Sequence, residues 1–158
     1  MKIGIISDTH GDLINTERAV MDMGDIDLLI HAGDTYRDAM EIKEKFGLEV
    51  IAVCGNTDYS SRTMCETTFE IGDKKIFLTH GHQYDVKYDL TRLYYRAQEV
   101  GADIVVFGHS HIPQYIREND LIFINPGSVS RPRGGSKATY ALLELKEDDM
   151  EVKLITLI

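Results

Sequence analysis

Short apolar runs alternate with amphipathic segments over the first third of the chain. Ile3–Ser7 is almost wholly apolar or small, which is typical of a parallel strand covered on both faces. Leu13–Met23 has helical spacing of its apolar residues and predicts a helix. The same alternation continues through a strand at Asp27–His31, a helix at Arg37–Phe46 and a strand at Glu49–Cys54. This order of strand, helix, strand, helix, strand predicts a parallel sheet.

The second half of the chain contains more strands than helices. Its pattern predicts one helix at Asp89–Val100, a buried strand at Ile104–Phe107, and three pairs of antiparallel strands, which are Glu66–Ile71 with Lys75–Thr79, Gln114–Arg117 with Leu121–Ile124, and Ala138–Leu145 with Met150–Leu157. We therefore predict an α/β fold in which two mixed β-sheets pack as a β-sandwich with helices outside. We expect a single domain over residues 1–158.

Polar residues follow the predicted strands at the points where the strands end. Five short segments share this position: Asp8-Thr9-His10, Gly33-Asp34, Gly55-Asn56-Thr57-Asp58, His80-Gly81-His82 and Gly108-His109-Ser110-His111. Five of the six histidines lie in these turns. Because the carboxyl ends of parallel strands meet at one edge of a sheet, we expect these side chains to converge there. Glycines in the same turns permit sharp bends and a close approach of the backbone.

The residue types in these turns suit a pair of metal ions. Two divalent cations roughly 3.5–4 Å apart need a shared anionic bridge, which one carboxylate between two histidine-rich groups can supply. Neutral imidazole and amide ligands fill the other positions without excess negative charge. Mixed imidazole, carboxylate and amide ligation favours Mn, Fe, Co, Ni or Zn over an all-oxygen Mg or Ca site.

Each of these features also has a plain structural interpretation. Asp8 and His10 could cap a helix N-terminus, and Asn56 could cap a turn through its side chain. In the presence of the other clusters, the sequence favours metal ligation for these residues. His31 lies just before a turn and fits a core histidine with satisfied hydrogen bonds better than a ligand.

At this point the motifs resemble those of a known family. In order, Asp8-x-His10, Gly33-Asp34, Gly55-Asn56-x-Asp58, His80-Gly81-His82 and Gly108-His109-x-His111 are similar to the motifs of the calcineurin-like metallophosphoesterases. The small bacterial and archaeal phosphodiesterase branch resembles the chain further at Asn125-Pro126-Gly127-Ser128 and the Arg131-to-Gly135 segment that follows. The resemblance spans residues 1 to about 135 by motif, and it implies a β-sandwich flanked by helices.

The resemblance also implies roles for the residues. The first of two divalent metal ions would be held by Asp8, His10 and His111, the second by Asn56, His80 and His109, with Asp34 between them. A bridging water or hydroxide would be the nucleophile. Mn²⁺ is the metal we expect first, with Ni²⁺, Fe²⁺, Co²⁺ or Zn²⁺ as alternatives. Asp58 would orient a ligand.

Two further roles concern the substrate. Many family members carry a histidine that stabilises or protonates the leaving group, at the position that Thr57 occupies here. The proton could come from water, from His82 or from no group at all. His82 could otherwise bind a metal in place of His80, support a ligand or contact the substrate. Arg131 and Arg133 could contact phosphate through bidentate hydrogen bonds, or they could lie in an exposed loop.

Composition limits the classes of binding partner and the cellular location that we expect. Hydrophobic residues make up 43% of the chain, enough for a core, and the net charge of −9 opposes extended nucleic-acid binding. The apolar runs are too short for a membrane span, and no signal peptide is evident. Cys54 and Cys65 form no CxxC pair, which suits a reducing compartment, so we expect a cytoplasmic protein with both cysteines as inert packing or loop residues. A homo-oligomer is compatible with the sequence.

The sequence therefore predicts a metal-dependent phosphoesterase, and within that class a phosphodiesterase that acts on a small phosphodiester. A phosphomonoesterase is the nearest alternative. A non-catalytic protein-binding scaffold of the same fold, like the retromer subunit of this family, predicts missing ligands, whereas this chain retains all seven. A metallo-β-lactamase-like hydrolase is disfavoured because its His-x-His-x-Asp-His signature is absent.

Overall fold

The computed structural model describes residues 1–59 and 62–158. Its first half contains β1 (Lys2–Ile6), α1 (Leu13–Met23), β2 (Leu28–His31), α2 (Tyr36–Phe46), β3 (Val50–Ala52), β4 (Glu66–Ile71) and β5 (Lys74–Thr79). Its second half contains α3 (Thr91–Val100), β6 (Ile104–Val106), β7 (Gln114–Glu118), β8 (Leu121–Asn125), β9 (Thr139–Leu145) and β10 (Met150–Thr156). Every predicted helix and strand is present, with ends that differ by up to two residues.

The strands form two mixed five-stranded sheets, as predicted. The first sheet has the order β10-β9-β1-β2-β3, with β1, β2 and β3 parallel. The second has the order β4-β5-β6-β8-β7, with β5, β6 and β8 parallel. Each sheet thus has three adjacent parallel strands, and antiparallel strands complete it on one or both sides.

Apolar side chains cover both faces of both sheets. Ile3 and Ile5 of β1 point between the sheets and pack with residues of the second sheet such as Ile76 and Ile104. Ile6 points the other way, into the layer beneath α1 and α2. A third cluster, which includes Phe77 and Leu93, packs α3 against the second sheet. Burial on both faces explains why these strands read as nearly continuous apolar runs.

The cap of α1 removes one of the alternatives for Asp8 and His10. The side chain of Asp12 accepts a hydrogen bond from the Asn15 backbone N–H at 3.0 Å and caps the helix. Asp8 and His10 lie before that cap, in the turn that follows β1. Their side chains are therefore not used as the helix cap.

The prediction for the two cysteines was wrong. Cys54 and Cys65 form a disulfide, with their Cα atoms 4.6 Å apart. A spacing of eleven residues gave no indication of proximity, because the pair meets only when the ends of β3 and β4 come together. The cytoplasmic location stays a prediction. No helix in residues 1–59 and 62–158 is long and apolar enough to cross a membrane.

Candidate metal centre

The turns after the parallel strands bring the predicted residues to one edge of the sandwich. The His80 ring of the second sheet lies against the first, with Nδ1 2.7 Å from the Ala32 carbonyl oxygen. The His109 backbone N–H donates to Asp8 Oδ2 at 3.0 Å, also across the sheets. The carboxyl ends of both sets of parallel strands therefore meet at this edge, as the sequence predicts.

The backbone of this edge is strained. In the described part of the chain, eight non-glycine residues have a positive φ, and five of them are Asp8, His10, Asp34, His109 and His111. Left-handed backbone costs such residues about 1–3 kcal/mol each and persists where the surrounding structure imposes it. Its concentration among the predicted ligands indicates a functional site.

One group of side chains is formed by Asp8, His10, Asp34 and His111. A ligand atom from each lies within 4.8 Å of the others. His111 Nε2 is 3.1 Å from Asp8 Oδ1 and 3.3 Å from His10 Nε2. His10 Nε2 is 3.6 Å from Asp34 Oδ2. These atoms surround a space of the size that one cation occupies.

A second group contains Asp34, His80 and His109, again with ligand atoms within 4.8 Å of one another. His80 Nε2 lies 3.4 Å from Asp34 Oδ1 and 3.2 Å from His109 Nδ1. Asn56 joins this group, since its Oδ1 lies 3.1 Å from His80 Nε2. Asp34 belongs to both groups, with one carboxylate oxygen toward each.

The donor atoms of this edge fit metal ions better than they fit one another. Asp8 Oδ1 is buried and has no hydrogen-bond partner in the described residues. The ring nitrogens of His10 and His111 face each other, as do those of His80 and His109. A buried acceptor without a partner is costly, and a bound cation would satisfy it together with the nitrogens.

Hydrogen bonds on the far side of each ring orient the imidazoles. His80 Nδ1 faces the Ala32 carbonyl at 2.7 Å, and His111 Nδ1 faces the Arg131 carbonyl at 2.6 Å. A carbonyl oxygen only accepts, so each Nδ1 carries the proton and each Nε2 is left with its lone pair toward the site. Such contacts fix both the tautomer and the direction of a metal-binding histidine.

The Asp8 segment is held by hydroxyl groups that the sequence analysis did not single out. Ser7 Oγ donates to Asp8 Oδ2 at 2.7 Å, which leaves Oδ1 directed at the histidines. Ser128 and Ser130 both donate to the Asp8 carbonyl, at 2.8 and 2.9 Å. The sequence offered a signal for Ser128 alone, because it ends the Asn125-Pro126-Gly127-Ser128 motif.

Asp58 supports the turn that carries Asn56. Its Oδ2 accepts from the Gly55 backbone N–H at 2.7 Å, and its Oδ1 accepts from the Tyr36 N–H at 2.9 Å. Thr57, which follows Asn56 in the same turn, donates its backbone N–H to Asp34 Oδ1 at 3.1 Å. Asp58 thus lies outside both ligand groups and holds the segment between them in place.

Charge at the site follows from burial and from the neighbours. Burial disfavours the carboxylates of Asp8 and Asp34, but neighbouring histidines outweigh this cost and lower both pKa values. For Asp8 these histidines are His111 and His80. For Asp34 the largest favourable contribution comes from His80. Burial lowers the pKa of His109 to about 4, helped by the charge of His80. Burial also lowers the pKa of His10. Ionised carboxylates and neutral imidazoles are the forms that bind cations.

The pKa of His80 shifts in the opposite direction to those of His10 and His109. Burial disfavours its charged form, but the Asp34 hydrogen bond and the charge of Asp8 outweigh that effect and raise the pKa of His80. A cation at this position would compete with a proton for the Nε2 lone pair of His80.

The remaining predicted residues lie at the rim. The His82 ring centroid is 5.4 Å from that of His80 and 6.1 Å from that of His109, and its Nδ1 is buried without a hydrogen-bond partner in the described residues. Arg131 is exposed, and its charge contributes to the lowered pKa of His10. Arg133 is exposed and contacts the site through its backbone N–H, which donates to the His111 carbonyl at 3.2 Å. The structure thus brings His82 near the second group and Arg131 near the first.

Comparison with known proteins shows the family of this chain. Residues 1–148 match the model of the calcineurin-like phosphoesterase superfamily domain. A probable metallophosphoesterase of Bacillus subtilis is 38% identical over 156 residues, covering 97% of this chain and 89% of the relative. A phosphodiesterase of Methanocaldococcus jannaschii is 32% identical over 145 residues, covering 80% of this chain and 83% of the relative. The chain therefore belongs to the calcineurin-like phosphoesterase superfamily.

Solved structures share the fold. A predicted phosphoesterase from Streptococcus pneumoniae superposes with a TM-score of 0.84 at 34% identity, covering 98% of this chain and 88% of that one. Vps29 of Entamoeba histolytica, solved in complex with zinc, has a TM-score of 0.78 at 21% identity and full coverage of both chains. At that identity the second likeness concerns the fold alone.

Proposed function

We propose that this protein is a phosphodiesterase that depends on two divalent metal ions. The observation that carries the proposal is the position of Asp34, whose Oδ2 lies 3.6 Å from His10 Nε2 and whose Oδ1 lies 3.4 Å from His80 Nε2. A carboxylate with one oxygen toward each histidine group is the arrangement that a bridging ligand requires.

The proposed ligands divide between two positions. Asp8, His10 and His111 would hold one cation, while Asn56, His80 and His109 would hold the other, with Asp34 shared. When bound, the cations would lower the pKa of a water molecule and polarise the phosphoryl oxygens of the substrate. The imidazole and carboxylate donors favour Mn²⁺, with Ni²⁺, Fe²⁺, Co²⁺ and Zn²⁺ also suited.

Residues at the rim would bind the substrate. We assign phosphate contact to Arg131, because its backbone carbonyl lies 2.6 Å from His111 Nδ1, which places this residue beside the first group. Arg133 is close enough along the chain to contribute a second positive charge, and both side chains are exposed. His82 would face the substrate from the other side, next to the His80 group. A small phosphodiester offers the negative charge that the two arginine side chains can bind.

The leaving group tests the role of His82. Since Thr57 replaces the histidine of other family members, His82 is the nearest candidate to assist the leaving oxygen. If no residue protonates that oxygen, rates for a series of aryl phosphodiesters should fall steeply as the pKa of the leaving group rises. His82→Gln should then leave the slope unchanged, whereas a slope that steepens in this variant would assign the proton to His82.

A scaffold without activity is the second candidate, supported by the likeness of the fold to Vps29. Loss of catalysis would free the metal ligands to change, whereas all seven positions here carry ligand-type residues that converge at one edge. This retention supports the enzyme.

The direct experiment is an activity assay of metal-free protein that has been reloaded with Mn²⁺. We expect hydrolysis of bis-aryl phosphodiesters that depends on added metal, and slower hydrolysis of the matching phosphomonoesters. Hydrolysis of monoesters alone would indicate a phosphomonoesterase. Bound metal without hydrolysis of either class would contradict the proposal and favour the scaffold.

A further inference from the structure

The disulfide between Cys54 and Cys65 links the two sheets at their open edges. Cys54 follows β3, the edge strand of the first sheet, and Cys65 directly precedes β4, the edge strand of the second. The two segments also share a backbone hydrogen bond, from the Cys54 N–H to the Met64 carbonyl at 3.1 Å. The covalent bond therefore fixes one sheet relative to the other at this corner.

The same two segments carry ligands of the proposed second metal. Cys54 is two residues before Asn56, and Gly55 is the only residue between them. The Cys65 carbonyl accepts hydrogen bonds from the His80 backbone N–H at 3.4 Å and from Thr79 Oγ1 at 3.3 Å. Asn56 and His80 meet across the sheets, with Oδ1 and Nε2 3.1 Å apart. The disulfide thus joins the chain segments that position these two ligands.

We propose that Cys54 and Cys65 form a reversible redox switch that sets the affinity of the Asn56, His80 and His109 position for its cation. The inference rests on the proposed function, because it assigns regulation to one half of that site. The oxidised form would hold Asn56 against His80, and the reduced form would release the Asn56 segment from the second sheet. Asp8, His10 and His111 come from other segments, so the first position would change less, through the shared Asp34 alone.

The chemistry is a thiol–disulfide exchange with a dithiol. One thiolate of the dithiol attacks the Cys65 sulfur, the Cys54–Cys65 bond breaks, and Cys54 leaves as a thiolate that takes up a proton. The second thiol of the reductant then displaces Cys65, so the dithiol is oxidised to its disulfide and the protein gains two thiols. Reaction with a disulfide such as oxidised glutathione reverses the step.

Both redox states fit the local structure. Cys65 is half-buried, which gives a reductant access to its sulfur, whereas Cys54 is buried. The Cys54 sulfur lies 3.1 Å from the Thr63 carbonyl oxygen, so the thiol of the reduced form would have a hydrogen-bond acceptor. In a reducing compartment such a disulfide would be a transient and regulatory bond rather than a permanent one.

The test is a Mn²⁺ titration of metal-free protein in the oxidised and reduced forms. Oxidised protein is prepared with oxidised glutathione, and reduced protein with a phosphine that is removed under anaerobic conditions. Intact mass and alkylation of free thiols verify each form. We expect two cations to bind in both forms, with one of the two affinities about tenfold weaker after reduction, a change typical of lost support around a metal ligand.

The double variant Cys54→Ser/Cys65→Ser is the matched control. It should bind Mn²⁺ like reduced wild-type protein and should not respond to oxidant or reductant. If this variant does not fold, the two forms of the wild-type chain still decide the question. Reoxidised wild-type protein should regain the tighter affinity.

Two results would overturn the redox switch, and a third would contradict the proposed function. Equal affinities in both forms would overturn the switch while leaving the proposed function intact. Free thiols that persist in excess oxidised glutathione would overturn it as well, because the bond would then not form. Absence of Mn²⁺ binding in either form would instead contradict the proposed function.

Discussion

His31 shows how one buried residue supports the site without belonging to it. Its ring is fully buried, with Nδ1 accepting the Gly33 backbone N–H at 3.1 Å and Nε2 3.0 Å from Thr9 Oγ1. Thr9 Oγ1 in turn lies 3.3 Å from the Asp34 carbonyl. The expectation of a satisfied core histidine is confirmed, and the ring connects the turns that carry Asp8 and Asp34.

Burial lowers the pKa of His31 to about 4, from an ordinary value near 6.5. Between these values the unfolded chain binds a proton that the folded chain does not, so acid favours unfolding. We expect His31 to make metal-free protein about 2 kcal/mol less stable at pH 5 than at pH 7. The stabilisation is complete above pH 6.5 and is lost as the pH falls toward 4.

Urea unfolding at the two pH values, in wild type and in His31→Asn, measures this contribution. The variant removes one titrating group, so its stability should fall less between pH 7 and pH 5, whatever its stability at pH 7. Parallel losses in the two proteins would show that His31 titrates normally in the folded state.

Asp58 illustrates how elements depend on the turns between them. The residue before α2, Thr35, has a left-handed φ of 73° and makes no side-chain capping bond. The Asp58 carboxylate supplies the missing acceptor to the Tyr36 N–H and also holds the Gly55 N–H. One side chain thus caps a helix and fixes the turn that carries Asn56.

Asp58→Asn replaces one carboxylate oxygen with an amide that cannot accept from these donors. We expect the free energy of unfolding to fall by about 1–2 kcal/mol and Mn²⁺ affinity to fall at least about tenfold. Thermal unfolding and metal titration measure the two effects. Asp85→Asn, which alters an exposed aspartate paired with Arg92, should change neither quantity. Unchanged metal affinity in Asp58→Asn would remove Asp58 from the support of the site.

Gly55 permits the close approach of two neighbouring turns. A Cβ at this position would lie 2.5 Å from the Asp34 backbone nitrogen and would also collide with the Asp34 carboxylate. We expect Gly55→Ala to displace Asp34 and to reduce metal-dependent activity at least about a hundredfold, since small misplacements at a reacting centre are costly.

Gly4→Ala is a matched control for crowding, because its Cβ would meet the side chains of Met23 and Ile26 far from the site. Gly4→Ala should lower the melting temperature, as expected for overpacking. Its activity at saturating Mn²⁺ should be close to that of the wild-type protein. Normal activity in Gly55→Ala would show that the tight contact with Asp34 is unnecessary.

The sequence predicted the elements well and their ends less well. Of the strand predicted over Glu49–Cys54, only Val50–Ala52 forms β3, because the chain then turns toward the site. The short 3-10 helix at His82–Tyr84 was missed, since the left-handed Gly81 that precedes it has no signature distinguishing it from a turn. The supporting hydroxyls and the disulfide depend on contacts between segments distant in the chain, which periodicity does not encode.

Across the whole molecule, the proposed metal site depends on the two sheets meeting at one edge. Each sheet contributes three parallel strands, and the turns after them supply all seven proposed ligands. The first cation position combines residues from turns of both sheets, and so does the second. Neither sheet alone could assemble either group, so the site depends on correct packing of the sandwich.

This architecture explains why the proposed ligand residues could be predicted from the sequence. Polar residues after buried strands were informative because the topology brings the strand ends together, even for Asp8 and His109, which are 101 positions apart in the sequence. The pairing of particular ligands came from the family resemblance. The structure places the resembling residues in two adjoining groups that share Asp34.

The most direct test is a crystal structure of the protein grown with Mn²⁺ and examined by anomalous scattering. Two bound cations should give two peaks roughly 3.5–4 Å apart on either side of the Asp34 carboxylate. In Asp34→Asn at least one peak and the phosphodiesterase activity should both be lost. A single peak in the wild-type protein, peaks away from Asp34, or an Asp34→Asn variant with both metals and full activity would contradict a two-metal site bridged by Asp34.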